Sequence, residues 1–217
     1  MDRKTTIALV VSLGVIVIDQ WSKFWVKTTM YLGQEYKIAG NWFYIHFTEN
    51  NGMAFGMEFA GEYGKLFLTS FRVVAVFGIL YYLIYLLKRK ETHSGLIVCM
   101  SLIFAGALGN IVDSVFYGVW FNDSYHQIAS FMPEAGGYSN LMYGKVVDML
   151  YFPLMSGSYP EWLPIVGGDP FMFFRPVFNI ADTAISTGVI SVAVFQNKFY
   201  DKKEEEKETA AKETEEK

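Results

Sequence analysis

Long apolar runs separate the polar segments of this chain. Four runs have the length and composition of membrane helices, and they cover residues 5–25, 66–87, 94–115 and 177–196. About twenty mainly apolar residues in helical conformation cross roughly 30 Å of hydrocarbon. The pattern therefore predicts four membrane-spanning helices. The first run follows two basic residues, as in a secretory signal, but no small-x-small cleavage pattern follows it, and it is interpreted as a retained helix.

Basic residues mark one end of every run, at positions 3–4, at 88–90 and within 198–203. Such clusters face the cytoplasm according to the positive-inside rule. Both termini are therefore expected inside the cell, and the two long connections, residues 27–65 and 116–176, outside it. The predicted fold class is an all-α membrane core of four transmembrane helices with an external cap.

The two outer connections differ in character. Aromatic and apolar side chains alternate over residues 42–47, as in a β-strand, and the sequence Asn-Asn-Gly at 50–52 indicates a turn. All six prolines of the chain lie between 116 and 176, which is typical of loops. We expect a small β element and a loop-rich cap, both part of one membrane domain over residues 1–200. Residues 201–217 are almost all charged or small, and we expect a disordered cytoplasmic tail.

The composition is typical of a membrane protein, and it argues against several kinds of ligand and site. The chain is 52% hydrophobic and 18% aromatic, and its net charge of -4 is concentrated in the tail, which leaves no basic footprint for nucleic acid. The single cysteine, Cys99, excludes an intramolecular disulfide. The three histidines lack metal-binding spacing, and no glycine-rich nucleotide loop is present. We therefore expect no metal, no cofactor and no nucleic-acid partner.

Six polar residues interrupt the apolar runs. A charge at the centre of a bilayer costs at least about 2.5 kcal/mol, so each such residue is a candidate for function. The predicted orientation brings all six to the outer ends of their helices. Members of each pair lie three or four positions apart and so share a helix face. The pairs are Asp19 and Lys23, which can form an ion pair, Asn110 and Asp113, and Asn179 and Asp182.

One further carboxylate, Asp148, lies in an apolar stretch of the second outer connection and is expected beside the start of the fourth helix. Two carboxyls that share a site cannot both ionise easily, so one keeps a proton while the other stays charged. Such a pair can activate water and protonate a leaving amine without a metal or a covalent nucleophile. Because no serine or cysteine has a histidine or lysine at a suitable spacing, we predict peptide hydrolysis by Asp148 and Asp182.

Two other interpretations are compatible with acidic residues in membrane helices. An ion-coupled transporter distributes polar groups through the full depth of the membrane. Here the inner halves of the predicted helices are essentially free of ionisable groups, and four helices are few for alternating access. In a structural membrane subunit the same residues would hold helices together by hydrogen bonds, and function would survive the loss of both aspartates.

Five sequence blocks carry a family resemblance. They are DQWSK (19–23), NNGMAFG (50–56), GALGNIVDS (106–114), VVDM (146–149) and FNIADTAIS (178–186). In this order the blocks resemble the lipoprotein signal peptidase family, also called signal peptidase II. The resemblance implies a multi-pass aspartyl endopeptidase of the bacterial inner membrane, with its active site at the periplasmic face. Its substrate would be a diacylglyceryl-modified prolipoprotein, cleaved just before the lipidated cysteine.

The resemblance also implies residue roles. It assigns catalysis to Asp148 and Asp182, and roles in supporting the pair or binding substrate to Asp19, Lys23, Asn50, Gly52, Asn110, Asp113 and Asn179. Inhibition by the cyclic peptide globomycin is expected, the partners are the prolipoprotein and membrane lipids, and we expect a monomer.

The chain departs from the family pattern in two respects. The family usually has arginine after the aspartate of the third block, where this chain has Ser114. Arg72 and Arg175 are candidates to supply the missing cation. The stretches 115–145 and 149–176 are longer than in typical members, which predicts an enlarged external cap.

Overall fold

The structure is a computed structural model that describes residues 2–51, 61–153, 155–173 and 176–200. Predictions that involve residues outside these ranges are not tested by it: the turn at 50–52, the role of Gly52, the role of Arg175 and the disordered tail. The helices are α1 (Arg3–Thr29), α2 (Gly61–Lys88), α3 (Ser94–Val112), α4 (Gly118–Trp120), α5 (Ile180–Val194) and α6 (Gln196–Tyr200), with a π-helical segment, Asp113–Tyr117, between α3 and α4. The strands are β1 (Glu35–Ala39), β2 (Phe43–Asn50), β3 (Val146–Tyr151), β4 (Met155–Ser158), β5 (Pro170–Phe173) and β6 (Val177–Phe178).

Three helical stretches among the described residues are long and apolar enough to cross a membrane: Arg3–Thr29, Tyr63–Lys88 and Ser94–Trp120. They contain the first three predicted spans in full. The first stretch begins where the Thr5 backbone N–H donates to Oδ1 of Asp2 over 3.0 Å, which satisfies one of the open donors of a helix N-terminus. Hydrogen bonding with Thr5, first through its side chain and then through this backbone N–H, lowers the pKa of the Asp2 carboxyl below its ordinary value.

The fourth predicted span is only partly helical. Its first two residues, Val177 and Phe178, form strand β6, because they pair with Tyr151 and Leu150 of β3. The following helix, α5, has 15 residues and is shorter than a full membrane span. Helical hydrogen bonding nevertheless continues past its end, since the Phe195 N–H donates to the Ser191 carbonyl over 3.0 Å and the Phe199 N–H to the Phe195 carbonyl over 3.1 Å.

The chain divides into two compact units. The first consists of Met1–Asp19, Phe71–Ile111 and Ala181–Lys217, and its described elements are helical, so we call it the helical unit. The second consists of Gln20–Ser70 and Val112–Ile180; it contains all six strands found among the described residues, and we call it the sheet unit.

In the helical unit, small residues bring α3 and α5 close together. A Cβ atom on Gly106 would lie 2.3 Å from the carbonyl oxygen of Ala181, and one on Gly188 would lie 2.7 Å from that of Cys99. Glycine at such positions lets two membrane helices approach backbone to backbone. Many large apolar side chains on the helices of this unit are exposed, as contact with lipid requires. Examples are Val10 of α1, Phe77 of α2 and Ile190 of α5.

The sheet unit contains an antiparallel sheet with the strand order β1-β2-β3-β6, and a separate antiparallel pair, β4 and β5. The strand predicted at 42–47 is confirmed as β2. The three strands of the second outer connection, β3, β4 and β5, were not predicted. The first of them, β3, is buried along most of its length, and such a strand lacks the alternation that reveals a half-exposed one.

The core of the sheet unit joins the sheet to helical segments. Phe47 of β2 and Val147 and Met149 of β3 pack with Val26 of α1 and Tyr117 of the π-helical segment. A close backbone contact fixes the entry to β3, because a Cβ on Gly144 would lie 2.0 Å from the carbonyl oxygen of Asp113. The strand that carries Asp148 is therefore held by packing of one face and by a close backbone contact just before its start.

Candidate active site

Asp182 lies in the first turn of α5, within the helical unit, and is partly buried. The Nδ2 atom of Asn110, on α3, donates a hydrogen bond to its Oδ1 atom over 2.8 Å. A carboxylate in the first turn also interacts favourably with the helix dipole. Two of the predicted polar residues are thus brought into direct contact, across helices that are far apart in sequence.

Asp19 fixes the start of the helix that carries Asp182. Its side chain is fully buried, and its Oδ1 atom accepts a hydrogen bond from the backbone N–H of Ala181 over 2.9 Å. The first backbone N–H groups of a helix have no partner within the helix, so a carboxylate from α1 supplies one. Gly109 makes room for it, because a Cβ there would lie 2.6 Å from Oδ2 of Asp19.

Asp182 and Asn110 open onto a cavity of about 200 Å³ within the helical unit. A third polar residue, Arg72 of α2, also lines it. The other lining residues are apolar: Ala75, Val76, Ile79, Ala107, Ile111 and Ile185. The cavity thus combines a cation, an amide and a carboxylate with apolar walls, as ligand sites commonly do.

Asp148 lies in the middle of β3, within the sheet unit, directly opposite Thr48 of β2. It is 3% exposed, and its Oδ1 atom accepts a hydrogen bond from Nδ2 of Asn179 over 2.7 Å. The same amide nitrogen lies 3.3 Å from the carbonyl oxygen of Val147. This hydrogen bond holds the buried carboxyl group in one orientation.

Lys23 and Asp113 form a fully buried ion pair in the sheet unit, with Nζ and Oδ2 2.9 Å apart. Asp113 also accepts hydrogen bonds from Nε2 of Gln20 over 3.0 Å and from the backbone N–H of Val147 over 3.2 Å. Buried charges are tolerated when they are paired and their remaining hydrogen-bonding capacity is used. Because Val147 precedes Asp148, this ion pair braces the backbone beside the predicted catalytic residue.

The structure thus places the predicted residues in two clusters. Asp19, Asn110 and Asp182 lie in the helical unit, and Lys23, Asp113, Asp148 and Asn179 in the sheet unit. Asn50 ends β2 opposite Val146 of β3. Asp148 and Asp182 belong to different units, so their pairing stays a prediction, as does the ion pair between Asp19 and Lys23.

A second ionic cluster was missed by the sequence analysis. Lys27 is fully buried and pairs with Glu49 of β2, and its Nζ donates to Oγ of Ser124 over 2.9 Å. Lys145 reaches the other oxygen of Glu49 at 3.4 Å. The ring of Tyr138 lies 5.0 Å from Nζ of Lys27, within cation–π range. A signal for this cluster exists, because Asp19, Lys23 and Lys27 repeat at four-residue spacing on one helix face.

Among the residues that the structure describes, no three histidine, cysteine, aspartate or glutamate side chains are grouped so that they could hold a metal ion. The polar residues are instead arranged as hydrogen-bonded amides and carboxylates.

Comparison with known proteins identifies the family. The family described as signal peptidase (SPase) II matches residues 11–197. A lipoprotein signal peptidase of Porphyromonas gingivalis is 51% identical over 88% of this chain and 82% of its own length. Another, of Amoebophilus asiaticus, is 38% identical over 85% of this chain and 75% of its own.

Solved structures agree with this comparison. One described as a bacterial membrane enzyme superposes with a TM-score of 0.56 at 25% identity, over 88% of each chain. A second with the same description gives a TM-score of 0.55 over 86% of this chain. Residues 11–197, which the family matches, include every position of the two polar clusters. The chain belongs to the signal peptidase II family of membrane aspartic peptidases.

Proposed function

We propose that this protein removes the signal peptide from diacylglyceryl-modified prolipoproteins, just before the lipidated cysteine, and that Asp148 and Asp182 carry out the hydrolysis as a pair. The observation that supports this assignment most directly is the matched environment of the two carboxylates. Each accepts a hydrogen bond from an asparagine amide, Asp148 from Asn179 and Asp182 from Asn110. Each amide fixes the orientation of one carboxylate.

In the proposed reaction, one carboxylate of the pair takes a proton from a water molecule, whose oxygen attacks the carbonyl carbon of the scissile peptide. The other carboxyl donates a proton to the amide nitrogen as the carbon–nitrogen bond breaks. The products are the carboxyl end of the signal peptide and the free amino group of the lipidated cysteine. Neither a metal ion nor a covalent intermediate takes part in these steps.

We also propose that the chain crosses the bacterial inner membrane four times, with both termini in the cytoplasm and the catalytic pair at the periplasmic face. Two observations within the helical unit support this. Nζ of Lys4 lies 2.6 Å from the carbonyl oxygen of Lys90, and the rings of His93 and Phe199 lie 5.4 Å apart. The three basic ends of the predicted spans therefore share one side, and α5 with α6 supplies the fourth crossing.

The catalytic assignment is tested with the purified protein and a diacylglyceryl-modified prolipoprotein. Asp148→Asn and Asp182→Asn should each abolish cleavage while the protein remains folded and inserted. Asp169→Asn is the matched control, because Asp169 is exposed on the loop between β4 and β5, and it should cleave normally. Globomycin should inhibit the unaltered protein. Substantial turnover by either catalytic variant would refute the pair.

The topology is tested by labelling single cysteines with a membrane-impermeant thiol reagent in a Cys99→Ser background. A cysteine at Tyr159, in the outer cap, should react in cells with a permeable outer membrane. A cysteine at Lys198 should react only after the inner membrane is opened. Labelling of both positions from outside would rule out the proposed fourth crossing. Size-exclusion chromatography with light scattering tests the expectation of a monomer.

A further inference from the structure

Arg72 is a charged residue placed where a membrane helix does not favour one. It lies in the candidate span Tyr63–Lys88 and is the sole charged residue between Lys65 and Lys88. An arginine within a bilayer-spanning helix carries a cost of a few kcal/mol, so such a residue usually serves a function and faces the protein interior or a cavity. In agreement, Arg72 is partly buried and lines the cavity of the helical unit.

The cavity indicates what kind of group Arg72 meets. A guanidinium offers five N–H donors and no acceptor, and it stays charged, so its ligand must present acceptor oxygens. Apart from Asn110 and Asp182, the rest of the lining consists of six apolar side chains, which suits an alkyl chain attached to those oxygens. A fatty-acyl ester has this combination of a carbonyl oxygen and a hydrocarbon chain.

We propose that Arg72 is a specificity-determining residue that binds an ester carbonyl of the diacylglyceryl group, while the apolar wall of the cavity contacts the adjoining acyl chain. This proposal rests on the proposed function, because it places the lipid of the substrate next to Asp182. Since Asp182 lines the same cavity, a lipid anchored at Arg72 brings the neighbouring peptide bond towards the catalytic carboxylate. The residue thereby selects lipid-modified substrates.

The test compares two substrates that differ only at the ester. One prolipoprotein carries an S-diacylglyceryl group, and the other carries an S-dialkylglyceryl group, in which ether linkages replace the esters and no carbonyl is present. The unaltered enzyme should prefer the ester substrate. Arg72→Gln should lower kcat/KM for the ester substrate roughly tenfold to hundredfold, mainly through KM, as expected for loss of a hydrogen bond to a charged donor. Turnover of the ether substrate should change little.

Two controls keep the result interpretable. Arg89→Gln changes an arginine that stacks on Tyr85, outside the cavity lining, and should leave the ester preference intact. Arg72→Lys keeps the charge but loses the planar fork, so it should show an intermediate ester preference even if Arg72→Gln does not accumulate.

If Arg72→Gln lowered kcat equally for the ester and the ether substrate, the proposal would be overturned. Arg72 would then act on Asp182 and not on the lipid. An unchanged ester preference in both Arg72 variants would overturn it as well. The ratio of ester to ether turnover is measured on active enzyme, so it does not depend on which residues are catalytic. If the assignment of catalysis to Asp148 and Asp182 were wrong, the Asp182→Asn variant would still cleave the prolipoprotein.

Discussion

Asn179 holds Asp148 through a hydrogen bond of 2.7 Å, and both side chains are buried in the sheet unit. Asn179 directly precedes α5, whose first turn carries Asp182. One asparagine thus connects a carboxylate on a strand with the start of the helix that carries the other predicted catalytic residue. The contact explains why a buried aspartate on β3 keeps a defined orientation, and it gives the first prediction.

Asn179→Ala should lower kcat much more than it changes KM. The substitution leaves a buried carboxylate with one donor fewer, which costs about 1–3 kcal/mol and allows Asp148 to rotate away from its working position. Asn197→Ala, on the exposed surface of α6, is the matched control and should leave both constants unchanged. An Asn179→Ala enzyme with normal kcat would show that the amide does not position Asp148.

The buried cluster around Glu49 predicts an order of stabilities. Glu49→Gln should be more destabilising than Lys27→Met, because it leaves the fully buried Lys27 ammonium without its ion-pair partner, and removing one partner of a buried pair costs about 3–5 kcal/mol. In Lys27→Met, the Glu49 carboxylate keeps Lys145 and Ser124. Thermal unfolding of the purified variants measures the order. If Lys27→Met were the less stable variant, Lys145 and Ser124 would not be sufficient to stabilise the Glu49 carboxylate.

Sequence patterns predicted the elements whose apolar and polar residues follow a regular pattern along the chain. Three apolar runs of membrane length correspond to three helical stretches that can span a bilayer, because burial in lipid requires an apolar helix whatever its neighbours are. The alternation at residues 42–47 likewise predicted β2. Strand β6 was missed, since Val177 and Phe178 form a strand only through their pairing with β3, and an apolar dipeptide before a helix carries no local sign of that pairing.

The candidate site was predictable as a set of residues but not as a set of contacts. A charge in an apolar run is visible in any sequence, so the six helix residues and Asp148 could be selected. Contacts between distant segments could not be selected, because helical spacing relates only neighbouring positions, whereas Lys23 pairs with Asp113, 90 positions later. Glu49 and Ser124 gave no signal, since both lie in polar surroundings along the chain and are buried only by tertiary packing.

Tyr138 predicts a loss of stability in alkaline solution. Burial raises the pKa of its hydroxyl above the ordinary value, so the folded protein holds this proton more tightly than the unfolded chain. The stabilisation is complete below the unfolded-state pKa of about 10 and is lost as pH rises above it. Tyr138→Phe should therefore flatten the decline in unfolding midpoint between about pH 9 and pH 11. Tyr125→Phe, which changes an exposed tyrosine, should keep the steeper decline.

Gly106 predicts how closely α3 and α5 must approach for the enzyme to work. A Cβ atom at this position would lie 2.3 Å from the carbonyl oxygen of Ala181 and 2.8 Å from a side-chain carbon of Ile185. The first of these is backbone, so it cannot rotate away, and Gly106→Ala should push the start of α5 outward together with Asp182. We expect a lower unfolding midpoint and a loss of cleavage activity.

Gly78→Ala is the matched control for this prediction. Gly78 is also in a membrane helix, but nothing lies within 4 Å of the Cβ that alanine would add. Alanine is the better helix former by about 1 kcal/mol, so this variant should be as stable as the unaltered protein or slightly more so. The contrast separates the effect of a methyl group at the contact of α3 with α5 from the general effect of replacing glycine in a helix. If Gly106→Ala retained full activity and stability, α5 would have to tolerate displacement, and the rigid placement of Asp182 by Asn110 and Asp19 would be wrong.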